Sequence, residues 1–412
     1  MGPKTKVFLS AGEASGDHYG AQIIEGLRAV LPEAEFTGLG GFEMERAGFR
    51  RVVRAEDVAV MGITEILLHV PKIYRSYRRL VRSIREQKPD VAVLIDFPDV
   101  NFRLAKHLRR AGVPVAWFVS PQLWAWKRRR LRWVQERVAR MLVIFPFEES
   151  FYRARGVAAE FVGHPMAELT AQGAAGNDSR AAYAAAHRLD PARHWVALLP
   201  GSREKEVNAN LYTMLQAAIL LNGDGEFEYL LPVANTLGFA WMERQIEAWV
   251  ARRKHFGGKP LPTLRLVPDA RAALFHARAS VVASGTATVL AAVVGNPFVV
   301  VYRVSGMTFR IAKRLVRYPP EIPAERDAAG NLPIAMVNLV AGRRIVPELL
   351  NERFTPDEVV HALTPLLMEG SAREEQVRQL AEVRKRLVPR AGQTGIGRVV
   401  EAVVDLLARS RR

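Results

Sequence analysis

ASVVASGTATVLAAVVGNPFVVVY, residues 279–302, runs for 24 residues without a charged side chain. A helix of that length would cross a bilayer. Ser284-Gly285-Thr286 and Asn296-Pro297, however, cut the run into pieces of strand and helix size. Small and cyclic residues end elements, and runs rich in Val read as strands. The stretch therefore reads as buried strand (280–283), helix, buried strand (298–302), the repeating unit of a helix-covered parallel sheet.

The alternation extends outward from there. Towards the N-terminus, 195–199, 229–233 and 264–267 read as strands, with a helix at 206–221. An earlier array has strands at 7–9, 91–95, 113–119, 141–145 and 160–162. Its helix at 19–31 puts Ile23, Ile24, Leu27, Val30 and Leu31 on one face. Between the arrays, 170–180 is almost free of large apolar residues and reads as a linker. The fold class is thus α/β: two doubly wound domains, 1–169 and 181–355, with a central cleft. Residues 356–412 show no strand pattern and read as a helical C-terminal region. Residues 318–333, with four prolines, read as a loop.

Composition narrows the function. Of 412 residues, 49% are hydrophobic, which excludes global disorder. Lys plus Arg number 59 against 42 Asp plus Glu, a net +17 that calls for an anionic partner. Nucleic acid, an anionic membrane and a phosphorylated substrate all qualify. Cysteine is absent, which removes disulfides, thiolate metal sites and a Cys nucleophile. The nine histidines do not cluster as ligands, so no metal is expected. Val7-Phe8-Leu9 is too short for a signal-peptide core, and a cytosolic protein is expected.

In open α/β sheets, chemistry gathers where strands end. The first strand runs into Ser10-Ala11-Gly12-Glu13-Ala14-Ser15-Gly16-Asp17. Glu13 there would repel phosphate but can accept hydrogen bonds from sugar hydroxyls. Ser15 or Asp17 is placed to cap the following helix. The second end is Ile95-Asp96-Phe97-Pro98-Asp99-Val100-Asn101. Asp96 follows an apolar strand directly and suits a general base, whereas Asp99 is more simply a helix cap. In the second array, Pro200-Gly201-Ser202-Arg203 and Ser284-Gly285-Thr286 each join a strand to a helix. Free N–H groups at a helix start, helped by Arg203, suit a diphosphate. His164, in Gly163-His164-Pro165, reads as a hinge or structural residue.

Two stretches carry much of the positive charge. Residues 72–85 hold Lys72, Arg75, Arg78, Arg79, Arg82 and Arg85, with an apolar stripe on another helical face. Residues 124–140 mix Trp124, Trp126 and Trp133 with seven Lys and Arg. Cations beside exposed Trp suit an anionic membrane or single-stranded nucleic acid.

Taken in order, these segments resemble the lipid-A-disaccharide synthases. Those named above are joined by Ala59-Val60-Met61-Gly62-Ile63, Val119-Ser120-Pro121-Gln122-Leu123-Trp124-Ala125-Trp126, Ala312-Lys313-Arg314-Leu315-Val316 and Asn338-Leu339-Val340-Ala341-Gly342-Arg343. The resemblance covers about residues 7 to 352. It implies a GT-B fold of two Rossmann-like domains and an inverting glycosyl transfer without metal or other cofactor. The implied donor is UDP-2,3-diacylglucosamine and the acceptor 2,3-diacylglucosamine 1-phosphate, giving a β(1→6) disaccharide and UDP. It assigns Asp96 as base and Glu13 and Ser15 to the acceptor side. Gly201, Ser202, Arg203, Ser284, Gly285, Thr286 and Asn338 fall on the UDP side. The inner face of the cytoplasmic membrane becomes the implied partner surface, nucleic acid does not, and a homodimer is left open.

The sequence departs from the pattern twice. Where such donor sites carry a Glu one turn after the Ser-Gly-Thr segment, this chain has Leu290, which leaves Glu348 as the substitute ribose acceptor. The 318–333 loop also lengthens a usually short connection. The competing readings are another UDP-sugar enzyme, such as an epimerase, and a basic nucleic-acid-binding protein.

Overall fold

The computed structural model describes residues 4–59, 63–171, 179–222, 226–254, 260–306, 309, 310, 313, 316–389 and 393–410. Most of the expected 170–180 linker lies outside these residues. So do 60–62 of the 59–63 segment, and 312, 314 and 315 of the 312–316 segment.

The first sheet holds β1 (Lys6–Ala11), β2 (Glu35–Gly40), β3 (Arg50–Arg54), β4 (Val91–Ile95), β5 (Val115–Phe118), β6 (Arg140–Val143) and β7 (Ala159–Phe161). Its helices are α1 (Ala14–Val30), α2 (Phe42–Arg46), α3 (Glu56–Ala59), α4 (Ile63–Gln87), α5 (Pro98–Arg110), α6 (Leu131–Arg137) and α7 (Pro146–Arg153). After α8 (Pro165–Ala171) and α9 (Arg180–His187) comes a second sheet. It comprises β8 (His194–Leu199), β9 (Phe227–Pro232), β10 (Leu264–Val267), β11 (Ala279–Ala283), β12 (Phe298–Tyr302) and β13 (Glu348–Leu350). Around it lie α10 (Glu204–Leu221), α11 (Phe239–Lys254), α12 (Ala270–His276), α13 (Thr286–Val294), α14 (Met336–Ala341), α15 (Pro356–Leu367) and α16 (Ser371–Leu387). The last described helix is α17 (Gly395–Ser410).

The strand orders are β3-β2-β1-β4-β5-β6-β7 and β10-β9-β8-β11-β12-β13, and every pairing is parallel. Parallel strands covered on both faces become unbroken apolar runs. VAVLI of β4 is buried throughout, and FVVVY of β12 nearly so. The opening stretch 279–302 is therefore β11, α13 and β12. Three strands escape the sequence reading. EFTGLG of β2 carries two glycines, RRVVR of β3 is mostly arginine, and β13 is only three residues long.

The chain forms two compact units, Met1–Pro165 with Pro389–Arg412, and Met166–Val388. The helical region expected at 356–412 is accordingly shared out. Val359, Leu363, Leu366 and Leu367 of α15 enter the core of the second sheet with Leu211, Leu215 and Val299. Val399, Val403, Leu406 and Leu407 of α17 enter the first, beside Ile23, Ile24 and Leu27. That i, i+4, i+7, i+8 stripe is one helical face, and each such side chain contributes about 1.5–3 kcal/mol on burial. Among the described residues, no helix is long and apolar enough to cross a membrane.

Candidate functional site

Each sheet reverses its order once, between β1 and β4 and between β8 and β11. Connections diverge to opposite faces at such a point, so a crevice opens beyond the strand ends. All four strand-end segments singled out in the sequence lie at these two places.

In the first unit Ala11 pairs with Ile95, which brings the turns after β1 and β4 level. Asp96 and Phe97 both take left-handed backbone, with φ of 43° and 47°. Such backbone costs energy for non-glycine residues and collects at functional sites. The Phe97 ring covers Gly12 so closely that a Cβ there would lie 2.4 Å from it, which only glycine avoids. Asn101, wholly buried, fastens both turns together. Its Nδ2 donates to the carbonyls of Asp96 (2.7 Å) and Ile95 (3.2 Å), and its Oδ1 accepts from Ser10 Oγ at 2.6 Å. Burial, then the Glu13 carboxylate, pushes Asp96 up to about 6, against the opposing Phe97 N–H. This is a carboxylate poised near neutrality beside a second, exposed one.

Several expectations at this edge are corrected. Glu13, not Ser15 or Asp17, is the N-cap residue of α1, and its side chain makes no cap bond. Ser15 is exposed on the first turn. Asp17 is buried and caps α2, accepting the N–H groups of Gly41 (2.8 Å), Glu43 (2.9 Å) and Met44 (3.2 Å). Asp99 caps nothing. Helix α5 starts at Pro98 after Phe97, and Asp99 accepts from Arg130 Nη1 at 2.8 Å.

The segment after β5 is fixed by a residue the sequence reading passed over. Glu148, in the first turn of α7, is 1% exposed. It accepts from Ser120 Oγ (2.7 Å), Trp124 Nε1 (3.1 Å) and the Phe145 N–H (3.2 Å). An acid at the third helical position is the signal that marks it. Trp124 is consequently buried, and Trp133 packs under Arg130 and Arg137. Only Trp126 of the three is exposed, with Lys127 Nζ 4.1 Å from its ring centre. His164 is also buried, its ring 5.2 Å from Phe145, and burial pushes it down to about 4.

Burial pushes Glu148 from 4.5 up to about 7, although Ser120, Trp124 and the backbone pull the other way. The folded chain thus holds this proton more tightly than the unfolded one. The stabilising contribution is full below the unfolded value and is lost as pH rises through the folded one, on the order of 3 kcal/mol in all. Urea unfolding at about pH 5 and pH 8 should show that fall in wild type and a smaller one in Glu148→Gln. Identical pH dependence in the two proteins would refute the assignment.

In the second unit Leu199 pairs with Val282, so β8 and β11 end close together. Gly201 has φ 132°, and a Cβ on it would lie 2.5 Å from Glu206 Cβ. Both facts require glycine. Arg203 is the N-cap residue of α10 and its side chain is largely exposed. Glu206, one turn on, accepts from the Ser202 N–H at 3.0 Å and from Arg203 Nη1 at 3.2 Å. A carboxylate thus holds two of the donors that an anion would use. Thr236 Oγ1 fixes the same turn through the Ser202 carbonyl at 2.7 Å. At the neighbouring turn Gly285 is the N-cap residue of α13, with Ser284 half-buried and Thr286 exposed beside it. The Thr288 N–H donates to the Gly285 carbonyl at 3.2 Å, and the N–H groups that precede it at this helix start suit a phosphate.

Asn338 and Glu348, expected on the UDP side, are both buried. Asn338 is wholly buried, donating to Val346 O and Glu348 Oε1 and accepting from the N–H groups of Ile345 and Val346. Glu348 also accepts from the N–H groups of Ile334 and Ala335 and from Arg344. Together they anchor the start of α14 to β13. The proline-rich 318–333 loop closes on itself through Tyr318 Oη to Pro333 O (2.7 Å) and is tied to the same knot by Arg344 to Asn331 O (2.7 Å).

Among the described residues, no group of three or more His, Asp or Glu could hold a metal ion. A model of the lipid-A-disaccharide synthetase family matches residues 7–393. A lipid-A-disaccharide synthase of Acidobacterium capsulatum is 51% identical over 412 residues, covering 99% of this chain and 98% of the relative. One from Koribacter versatilis is 46% identical over 406 residues, covering 98% and 97%. Among solved structures, the glycosyltransferase of kitacinnamycin superposes with a TM-score of 0.61 at 13% identity, over 98% of this chain and 100% of that one. A putative UDP-N-acetylglucosamine 2-epimerase from Listeria monocytogenes gives 0.58 at 12% identity, over 98% and 96%. Identities this low show the fold alone, which is GT-B, two parallel-sheet α/β domains.

Proposed function

Because the chain belongs to the lipid-A-disaccharide synthase family, we propose that Asp96 is the base of an inverting transfer between two acylated glucosamines. The donor is UDP-2,3-diacylglucosamine and the acceptor 2,3-diacylglucosamine 1-phosphate. Asp96 takes the proton of the acceptor 6-hydroxyl. That oxygen bonds to the anomeric carbon from the face opposite UDP, and the anomeric C–O bond breaks with its electron pair leaving on UDP. One in-line displacement inverts the centre and needs no covalent enzyme intermediate.

The observation that carries this reading is the Asp96 carboxyl at the β1–β4 reversal, raised to about 6. A base whose pKa lies near the working pH is ionised yet still basic. Glu13 and Ser15, exposed on the adjacent turn, are the acceptor-side contacts. On the donor side Ser202, Arg203, Ser284 and Thr286 receive the diphosphate, with Gly201 and Gly285 giving the backbone room. Leaving-group charge falls on these donors and on two helix starts. Asn338 and Glu348 act only by holding the β13 end in place.

Incubation of both acylated substrates with purified protein, followed by detection of UDP and disaccharide, tests the whole reading. Excess EDTA should leave the rate within about twofold. Loss on chelation with recovery on adding Mg²⁺ would overturn metal independence. A nucleic-acid-binding role is disfavoured by the burial of Trp124, which takes away a stacking platform. The exposed Trp126 with Lys127 supports peripheral contact with the anionic inner face of the cytoplasmic membrane.

A further inference from the structure

Helices α4, α5 and α6, with the turn before α6, line an open cavity of about 350 Å³, and the proposed reaction assigns a role to none of its lining residues. Arg103, Lys106 and Arg110 of α5 line it together with Arg130 and Arg137. Positions i, i+3 and i+7 share one helix face, so the α5 cations form a row. Asp99 is the one lining carboxylate, and Arg130 already engages it at 2.8 Å. Among the described residues, Arg103, Lys106 and Arg110 have no ion-pair partner.

This is not an ordinary solvated helix face. Arg130 and Arg137 are held against the Trp133 ring, with 24% and 15% of their side chains exposed. Arg137 also donates to the Phe102 carbonyl at 3.1 Å. Their guanidinium groups are set before any ligand arrives, which lowers the ordering cost of binding. His107, 3.0 Å from Tyr77 Oη, registers the surplus charge. Its pKa is lowered by burial first, then by Arg85, Arg110 and Lys106.

The geometry points to a phosphate-monoester site in this groove, separate from the anion turns at Arg203 and Thr286. A monoester dianion answers several unpaired cations at once and accepts from guanidinium forks in pairs. The volume, at the small end of ligand pockets, admits one headgroup. The monoester is carried either by a soluble sugar phosphate or by a lipid headgroup, and binding assays on the full chain separate the two. Neither assay depends on turnover, so failure here leaves the assignment of Asp96 untouched.

The variant is Arg103→Gln/Arg110→Gln, both exposed residues. The control, Arg78→Gln/Arg79→Gln, removes equal charge from exposed positions outside the groove. Calorimetry uses glucosamine 1-phosphate. Flotation uses phosphatidylcholine vesicles containing phosphatidic acid, or the same fraction of phosphatidylglycerol, a diester. Loss of about tenfold or more in glucosamine 1-phosphate affinity, in the groove variant only, is the result for a soluble source. The same loss confined to phosphatidic acid vesicles is the result for a lipid source. Equal losses in both double variants, or equal losses on both lipids, would mean unselective charge and overturn the site. Unchanged binding in the groove variant would overturn it as well.

Discussion

Asp96→Asn should lower kcat by about 100-fold or more while leaving UDP affinity unchanged. Asn keeps the shape of the side chain but cannot take the acceptor proton. The groups that hold the turn are backbone atoms and Asn101, so the substitution leaves them in place. The pH profile gives a second reading. Only the ionised carboxylate is a base, so wild-type kcat/KM should fall as pH drops through about 6. That limb should be missing from the residual activity of Asp96→Asn. Turnover within a few-fold of wild type would instead make Glu13 the candidate base.

Arg203→Ala should weaken UDP binding by about 10- to 100-fold. A charge-assisted contact to phosphate contributes about 1.5–3 kcal/mol, and about 1.4 kcal/mol is tenfold. The present partner of Arg203 offsets little of this, because an exposed i, i+3 ion pair is worth under about 1 kcal/mol. Diphosphate must nonetheless displace Glu206 from the Ser202 N–H, so the measured affinity is net of that exchange. Lys at this position should rescue only partly, since an ammonium cannot form a two-pronged contact. Superimposable UDP titrations would move the diphosphate to Ser284–Thr286.

The elements legible in the sequence were those whose composition matched their burial. VAVLI and FVVVY announce strands covered on both faces, and 279–302 betrays its turns through Gly and Pro. The β2 and β3 strands did not, because two glycines mask the interior strand β2 and three arginines mask the edge strand β3. The site was legible as strand ends, since a reversal of strand order needs only topology. Partnership was not. Nothing local says that Asp17 caps a helix 24 residues on, or that Asn338 and Glu348 are spent on one another. Trp124 looked like a surface residue because its neighbours are basic. The acid that buries it, Glu148, is distant in sequence.

Helix α17 completes the core of the first sheet from the far end of the chain. During synthesis the ribosome makes residues 1–165, then all of 166–388, before that helix exists. At ~5–20 residues per second the wait is on the order of ten seconds or more. Throughout it the apolar face of α1 lacks its cover. The first unit, although begun first, cannot close until a segment made after the whole second unit is added, and it stays exposed to chaperones and proteases until then.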